Sequence, residues 1–251
     1  MLETRGLTIR FGGHVAVDHV SCAFHSGTLT AIVGPNGAGK TTYFNLISGQ
    51  LRASEGSVLL NGIDITNLPT AARTHRGLGR AFQLTQLFPN LSVFENVRLA
   101  VQSRRRLGLN LWSVWLDHRG TLARAMALVE RVMLGDRADT PASSLPHGDQ
   151  RKLEVAMLMA LEPSVYMFDE PTAGMSAADV PVILDLIRAL KAEPDKTILL
   201  VEHKMDVVRE LADRIVVLHN GQLVADGEPA AVIASPVVQG AYLGIVSEAI
   251  A

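Results

Sequence analysis

At 251 residues the chain has room for one large domain or for a core with a smaller lobe. A formal net charge of -2 at pH 7 excludes the strong basic excess that would mark nucleic acid as the main partner. The single cysteine, Cys22, excludes an internal disulfide framework and a thiolate metal cluster, and reads as a small buried hydrophobe.

The first ten residues include Glu3 and Arg5 and lack a long apolar run, so no signal peptide is expected. Leu7–Phe11 reads as a strand. Leu29–Val33 (LTAIV) reads as a buried strand, followed by a Gly-rich loop and a helix through Ser48. Ser57–Leu60 is a further short strand. From about residue 84 to residue 161 the pattern is mostly helical, most clearly over 122–134 and 150–161, and predicts a separate helical lobe. Within it, Arg104, Arg105 and Arg106 read as a solvated helix end in preference to a phosphate site. The apolar stretch from Val155 to Phe168 is broken by Glu162 and Pro163, so it cannot cross ~30 Å of hydrocarbon.

Val165–Phe168 and Thr197–Val201 are buried strands, each with a helix after it. Between them, Val180, Ile183, Leu184, Ile187 and Leu190 recur at helical spacing over 177–191. Ile215–Leu218 and Gln222–Ala225 flank Asn220-Gly221, a two-residue hairpin signal, and read as antiparallel strands. Residues 236–251 are expected as a helical extension. The alternation of strands and helices predicts an α/β fold with a mainly parallel sheet covered by helices.

Gly34-Pro35-Asn36-Gly37-Ala38-Gly39-Lys40-Thr41-Thr42 matches the spacing G-x-x-x-x-G-K-[ST], with an apolar strand before it and a helix after it. Its glycines let backbone N–H groups converge on phosphate oxygens, and the helix that follows points its positive end at them. Lys40 would reach the β- and γ-phosphates, and the Thr41 hydroxyl would take a Mg²⁺ position. The strand at 165–168 delivers Asp169 and Glu170 to its end. Asp169 suits a Mg²⁺ contact, and Glu170 suits a general base that polarises an attacking water.

With these residues the sequence resembles the ATP-binding cassette (ABC) family over nearly its whole length. The resemblance implies a P-loop NTPase core, an antiparallel β-subdomain and a helical subdomain at about 84–161. It implies that Gln83 binds Mg²⁺ and water and senses a membrane partner, and that His203 faces the γ-phosphate. It also implies that Phe11 stacks on adenine with Val17 beside the ring. The family's signature segment falls at Leu145-Pro146-His147-Gly148-Asp149-Gln150. Here Pro146 replaces the serine, and His147 the first glycine, of the usual L-S-G-G-Q.

Phe11-Gly12-Gly13 with Ala16-Val17, the run Glu170–Met175, and Ala241–Gly244 are similar to the branched-chain amino acid importer branch. Lipopolysaccharide-export ATPases and urea importers are close in the same segments. The implied machine is a pair of ATPase subunits, identical or different, that sandwich ATP with Mg²⁺ between phosphate loop and signature segment. Transmembrane permease subunits would carry the solute, a secreted solute-binding protein would act indirectly, and no nucleic acid would take part. The implied location is the cytoplasmic face of the inner membrane. A lipid exporter and a soluble non-transport ABC ATPase are the alternative readings. Repair-type relatives need long coiled coils, and no sustained heptad array is present.

Overall fold

The computed structural model describes residues 1–81, 87–105 and 119–243. The chain divides into two compact units: Met1–Leu78, Ser164–Glu170 and Leu190–Ala251 form the first, and Gly79–Pro163 and Pro171–Ala189 form the second.

The first unit begins with β1 (Leu2–Phe11) and β2 (His14–Phe24), an antiparallel pair. With β4 (Glu55–Leu60) and β5 (Ile63–Asp64) they form a four-stranded sheet in the order β2-β1-β4-β5. A second sheet contains β3 (Thr28–Val33), β7 (Val165–Asp169), β8 (Thr197–Val201), β9 (Arg214–His219) and β10 (Gln222–Gly227). In this unit its order is β10-β9-β3-β8-β7. β3 is parallel to both β8 and β9, and β7 is parallel to β8.

Why these segments are so apolar follows from their two buried faces. Ile32, Val216 and Leu218 point to one side, into a core shared with Leu2, Phe24, Val58 and Leu60 of the antiparallel sheet. Tyr43, Phe44 and Ile47 of α1 (Lys40–Ser48) fill the same core. Ala31, Val33, Ile215 and Val217 point to the other side. There they meet Val208 of α7 (Met205–Leu211), Val232 of α8 (Pro229–Ala234) and Val238 of α9 (Pro236–Leu243).

The β9–β10 pair is the antiparallel hairpin that Asn220-Gly221 predicts. Its two strands are antiparallel to each other, yet β9 also runs parallel to β3, so the hairpin extends the main sheet. Asn220 and Gly221 at its turn have φ of 47° and 77°, the left-handed pair that a tight hairpin turn requires. A short helix absent from the sequence reading, α2 (Thr70–His75), brings Arg73 under the end of α1. The buried Arg73 guanidinium donates to the carbonyls of Leu46 and Ile47 and so satisfies the last turn of α1. β6 (Leu78–Ala81) leads out of this unit.

In the second unit α3 (Val93–Arg104) packs against α4 (Arg119–Arg131) and α5 (His147–Ala160). Ser92 caps α3 by accepting from the Glu95 N–H at 3.2 Å, the start signal expected of S-x-x-E. The unit also takes in residues 180–189 of α6 (Val180–Lys191), so it is wider than the 84–161 lobe suggested by periodicity.

Candidate functional site

β3 ends at Val33, and the chain turns through Gly34–Gly39 before α1 begins at Lys40. Gly39 occupies the cap of α1 at φ 96°, and a Cβ there would lie 2.5 Å from the Ala16 carbonyl oxygen. Only glycine fits both constraints. The loop is also held by its neighbours. Gly221 at the β9–β10 turn donates to the Ala38 carbonyl at 3.1 Å and accepts from the Asp18 N–H at 2.8 Å.

The Lys40 ammonium sits inside this turn, donating to the carbonyls of Gly34 at 2.7 Å and Pro35 at 2.9 Å. Burial lowers its pKa below the ordinary lysine value, and the negative charges of Glu170 and Asp169 oppose that fall. A cavity of about 280 Å³ opens over the loop, lined by residues 36–42, His14, Ala16, Glu170 and His203. The N-terminus of α1 and Lys40 make its floor a place for an anion.

Glu170 follows β7 with φ 52°, a left-handed conformation rare for a side-chain-bearing residue. Its N–H donates to the Val201 carbonyl at 2.9 Å, which ties the turn after β7 to the end of β8. Its carboxylate accepts from His203 Nε2 at 2.8 Å, and both side chains are 39% exposed. Asp169, the last residue of β7, is buried. Glu202 is buried as well, and its carboxylate accepts from the N–H groups of His203 at 2.7 Å and Lys204 at 3.3 Å. It therefore pins the backbone that carries His203.

The structure thus brings together Lys40, Thr41, Thr42, Asp169, Glu170 and His203, all named from sequence. Gln83 lies outside the described residues. Phe11 is 50% exposed at the end of β1. Val17 is fully buried in the core, its Cγ2 3.6 Å from where a Cβ on Gly39 would lie, and Ala16 lines the cavity. Two residues escaped the sequence reading. His14 lies beside a glycine pair with no motif of its own, and Glu202 reads as an ordinary surface acid.

In the second unit, the segment Leu145–Gln150 enters α5. Pro146 is the cap residue at φ -55° and ψ 154°, with no side-chain cap bond. Gln150 folds back to donate from Nε2 to the Leu145 carbonyl at 3.1 Å. A network of charges surrounds the first turn. Asp149 accepts from Arg137 at 2.5 Å and Lys152 at 2.9 Å, and Lys152 also reaches Asp179 at 2.9 Å. Ser176 donates to the other oxygen of Asp179 at 2.7 Å. Gly148 lies against this carboxylate, since a Cβ there would come 2.6 Å from Asp179 Oδ2.

A phosphate-sized anion site on a strand–loop–helix turn, with a carboxylate and an imidazole at the next strand ends, is what the family comparison then identifies. The family described as ABC transporter matches residues 17–173. The chain belongs to the ABC transporter family. Like other members, this ABC ATPase binds and hydrolyses ATP, dimerises, and works with transmembrane permease components.

The high-affinity branched-chain amino acid transport ATP-binding protein LivG of Escherichia coli (strain K12) is 36% identical to the ATPase over 249 residues. That match covers 97% of this chain and 98% of LivG. BraF of Pseudomonas aeruginosa, with the same functional description, is 36% identical over 251 residues, covering 97% of this chain and 98% of its own. Among solved structures, an ATP-binding cassette of an ABC transporter in its ADP conformation superposes with a TM-score of 0.82 at 31% identity. It covers 97% of this ABC ATPase and 98% of its own chain. Among the described residues, no helix is long and apolar enough to cross a membrane.

Proposed function

We propose that this ATPase powers uptake of branched-chain amino acids, or of related small polar solutes, from the cytoplasmic face of the inner membrane. The observation that carries the reading is full-length similarity, at 36% identity, to two bacterial proteins named for branched-chain amino acid transport. A secreted binding protein would deliver the solute to the permease subunits. Phe88, 51% exposed on a loop clamped by the buried Asn96 side chain, is a contact offered to those subunits.

The site residues have separate tasks. The N–H groups at the start of α1 and the Lys40 ammonium bind and orient the phosphates. Glu170 takes the proton of the attacking water, and His203 holds the Glu170 carboxylate by its Nε2–H. The N–H groups of His147 and Gly148, at the start of α5, face the nucleotide of a second subunit.

The donors present fit Mg²⁺, which takes oxygen ligands. The exposed Thr41 hydroxyl lines the cavity, and the Asp169 carboxylate ends β7. Thr41, Asp169 and Gln83 would hold the ion, which when bound neutralises β- and γ-phosphate oxygens.

The test is reconstitution of the ATPase with its permease subunits in vesicles. ATP-dependent entry of leucine, isoleucine or valine, with phosphate release stimulated by the loaded binding protein, is expected. Normal amino-acid uptake by cells lacking the chain, with lipid export lost instead, would overturn the reading.

A further inference from the structure

We infer that Arg73 is a positioning residue for the phosphate site, acting from the far end of α1 as the cation that keeps the whole helix attractive to a polyanion. This rests on the ATP-site reading above and adds a residue that the phosphate-loop and strand-end motifs do not contain. The Arg73 side chain is among the largest that are fully buried. Its NH1 donates to the carbonyls of Leu46 at 2.8 Å and Ile47 at 2.6 Å, in the last turn of α1. Its Nε and NH2 donate to the carbonyls of Leu68 at 2.9 Å and Thr66 at 2.6 Å, in the chain that leads into α2. Gly49, the C-cap of α1 at φ 82°, leaves the room: a Cβ there would lie 2.7 Å from Arg73 Nε.

Neutral donors would suffice to satisfy carbonyls at a helix end, and burying a full charge is far more costly. Among the described residues no carboxylate bonds to this guanidinium, and all of these bonds go to main-chain oxygens. Burial pulls the Arg73 pKa below the ordinary arginine value, and the Asp64 charge opposes that fall. The cation therefore faces the negative end of α1. A helix carries roughly +0.5 charge at its start and -0.5 at its end. Nine residues set those ends about 13.5 Å apart. An anion held at the start of α1 is repelled by the bare end, and a unit positive charge there more than cancels the repulsion. Phe44, Leu46 and Ile47 are buried around the helix, so this field is weakened less than it would be through water.

Isothermal titration with ADP, a non-hydrolysable ATP analogue and inorganic tripolyphosphate reads the charge, and circular dichroism melting reads stability separately. Arg73→Gln keeps a donor and removes the cation. It should weaken the ATP analogue and tripolyphosphate about fivefold, the scale of a well-placed helix-end charge, and the less charged ADP by a smaller factor. Arg73→Lys should bring affinity back to within about twofold, yet leave melting lowered, because an ammonium lacks the fork that reaches both α1 and the chain before α2. Val232→Ala, in the core on the other side of the main sheet, should lower melting and leave every affinity unchanged. Unchanged affinity in Arg73→Gln would overturn the assignment. So would equal losses for all three ligands in Arg73→Gln and Arg73→Lys, which would make the guanidinium a structural cap alone. If Arg73→Gln does not fold, Gly49→Ala decides, since its Cβ displaces the guanidinium without removing it. It should give a smaller loss in the same order of ligands, and the absence of that order would overturn the proposal. Lys40→Ala should weaken all three ligands; if it changes none, the ATP-site reading itself fails.

Discussion

The loop Gly34–Gly39 and the first turn of α5 are both suited to face an anion, and the fold fixes them by different means. The loop is held by the main chain: Gly221 N–H on the Ala38 carbonyl, and the loop's own carbonyls wrapped round Lys40. The α5 turn is held by side chains, through Arg137, Asp149, Lys152, Asp179 and Ser176. Main-chain bonds need the backbone path itself, and at Gly39 a Cβ would lie 2.5 Å from the Ala16 carbonyl oxygen, so a loop of this kind keeps its glycine. A turn held by side chains tolerates changes in the residues that lead into it, provided the charges beneath persist. In this chain the loop matches its pattern, and the segment proposed as the signature departs from its pattern at Pro146 and His147.

The largest expected effect lies on the main-chain side of the comparison. Glu170 is aimed by its own strained backbone and the Val201 carbonyl, so Glu170→Gln should keep ATP binding and the closed dimer. It should lower turnover by at least ~100-fold, the scale of a lost general base. Phosphate release together with size-exclusion chromatography checks this. Turnover near that of the unaltered protein would remove Glu170 from the chemistry.

Gly148→Asp comes next, on the side-chain-held turn. A Cβ there meets Asp179 Oδ2 at 2.6 Å, so the variant adds overpacking of about 1–3 kcal/mol and a second negative charge beside the first. Dimerisation at saturating ATP should vanish in a Glu170→Gln background. Gly148→Ala shares the steric part alone, and comparing the two isolates the charge. Normal dimerisation of Gly148→Asp would mean that this turn does not face nucleotide across the dimer.

A smaller effect is expected at Asp179 itself. The Lys152 hydrogen bond, and then the Ser176 hydroxyl, hold its carboxyl below the usual carboxylate range. For a depressed group the stabilisation is present above the unfolded value of about 4 and is lost as pH falls through the folded value. Burial alone would lower the Lys152 pKa, but its bonds to Asp179 and Asp149 outweigh that and raise it. Asp179→Asn should therefore cost about 1 kcal/mol at pH 7, where the pair is partly exposed, and much less near pH 3. Equal destabilisation at both pH values, by denaturant titration, would show that the contact works by shape rather than charge.

What was legible in the sequence was local. Asn220-Gly221 announced a hairpin, because the turn chemistry depends on two residues. Nothing local announces that Gly221 would also pin Ala38, or that β9 would run parallel to β3, since both are pairings with distant chain. Val17 shows the same limit. A strand's parity is fixed by its turn and its partner, so only the family resemblance, and nothing local, places Val17 beside the adenine ring. The structure gives the core to Val17 and the cavity to Ala16 and His14. Glu202 was illegible for another reason: its role is to accept from the N–H groups of His203 and Lys204, which leaves no motif.

The smallest expected effect is at Pro146, where the two ways of holding a segment can be weighed directly. Proline at this cap has no N–H to offer an anion, and its ring accepts nothing from the first turn of α5. Serine at the same φ and ψ can accept from the N–H of Gly148 or Asp149, which stabilises a helix start by about 1 kcal/mol. Its hydroxyl proton stays available to a phosphate across the dimer. Against this, serine frees the unfolded chain, a loss of about 0.4–1 kcal/mol. The Pro146 carbonyl, which accepts from Gln150 N–H at 3.0 Å, is unaffected by the exchange. The terms nearly cancel, so Pro146→Ser should leave stability within about 1 kcal/mol and keep or modestly raise the dimer population at saturating ATP. Thermal melting and dimer fraction, both in the Glu170→Gln background, measure the two quantities separately. A dimer lost at unchanged stability would mean that proline stiffness, and not the N–H groups of His147 and Gly148, sets the geometry of this turn.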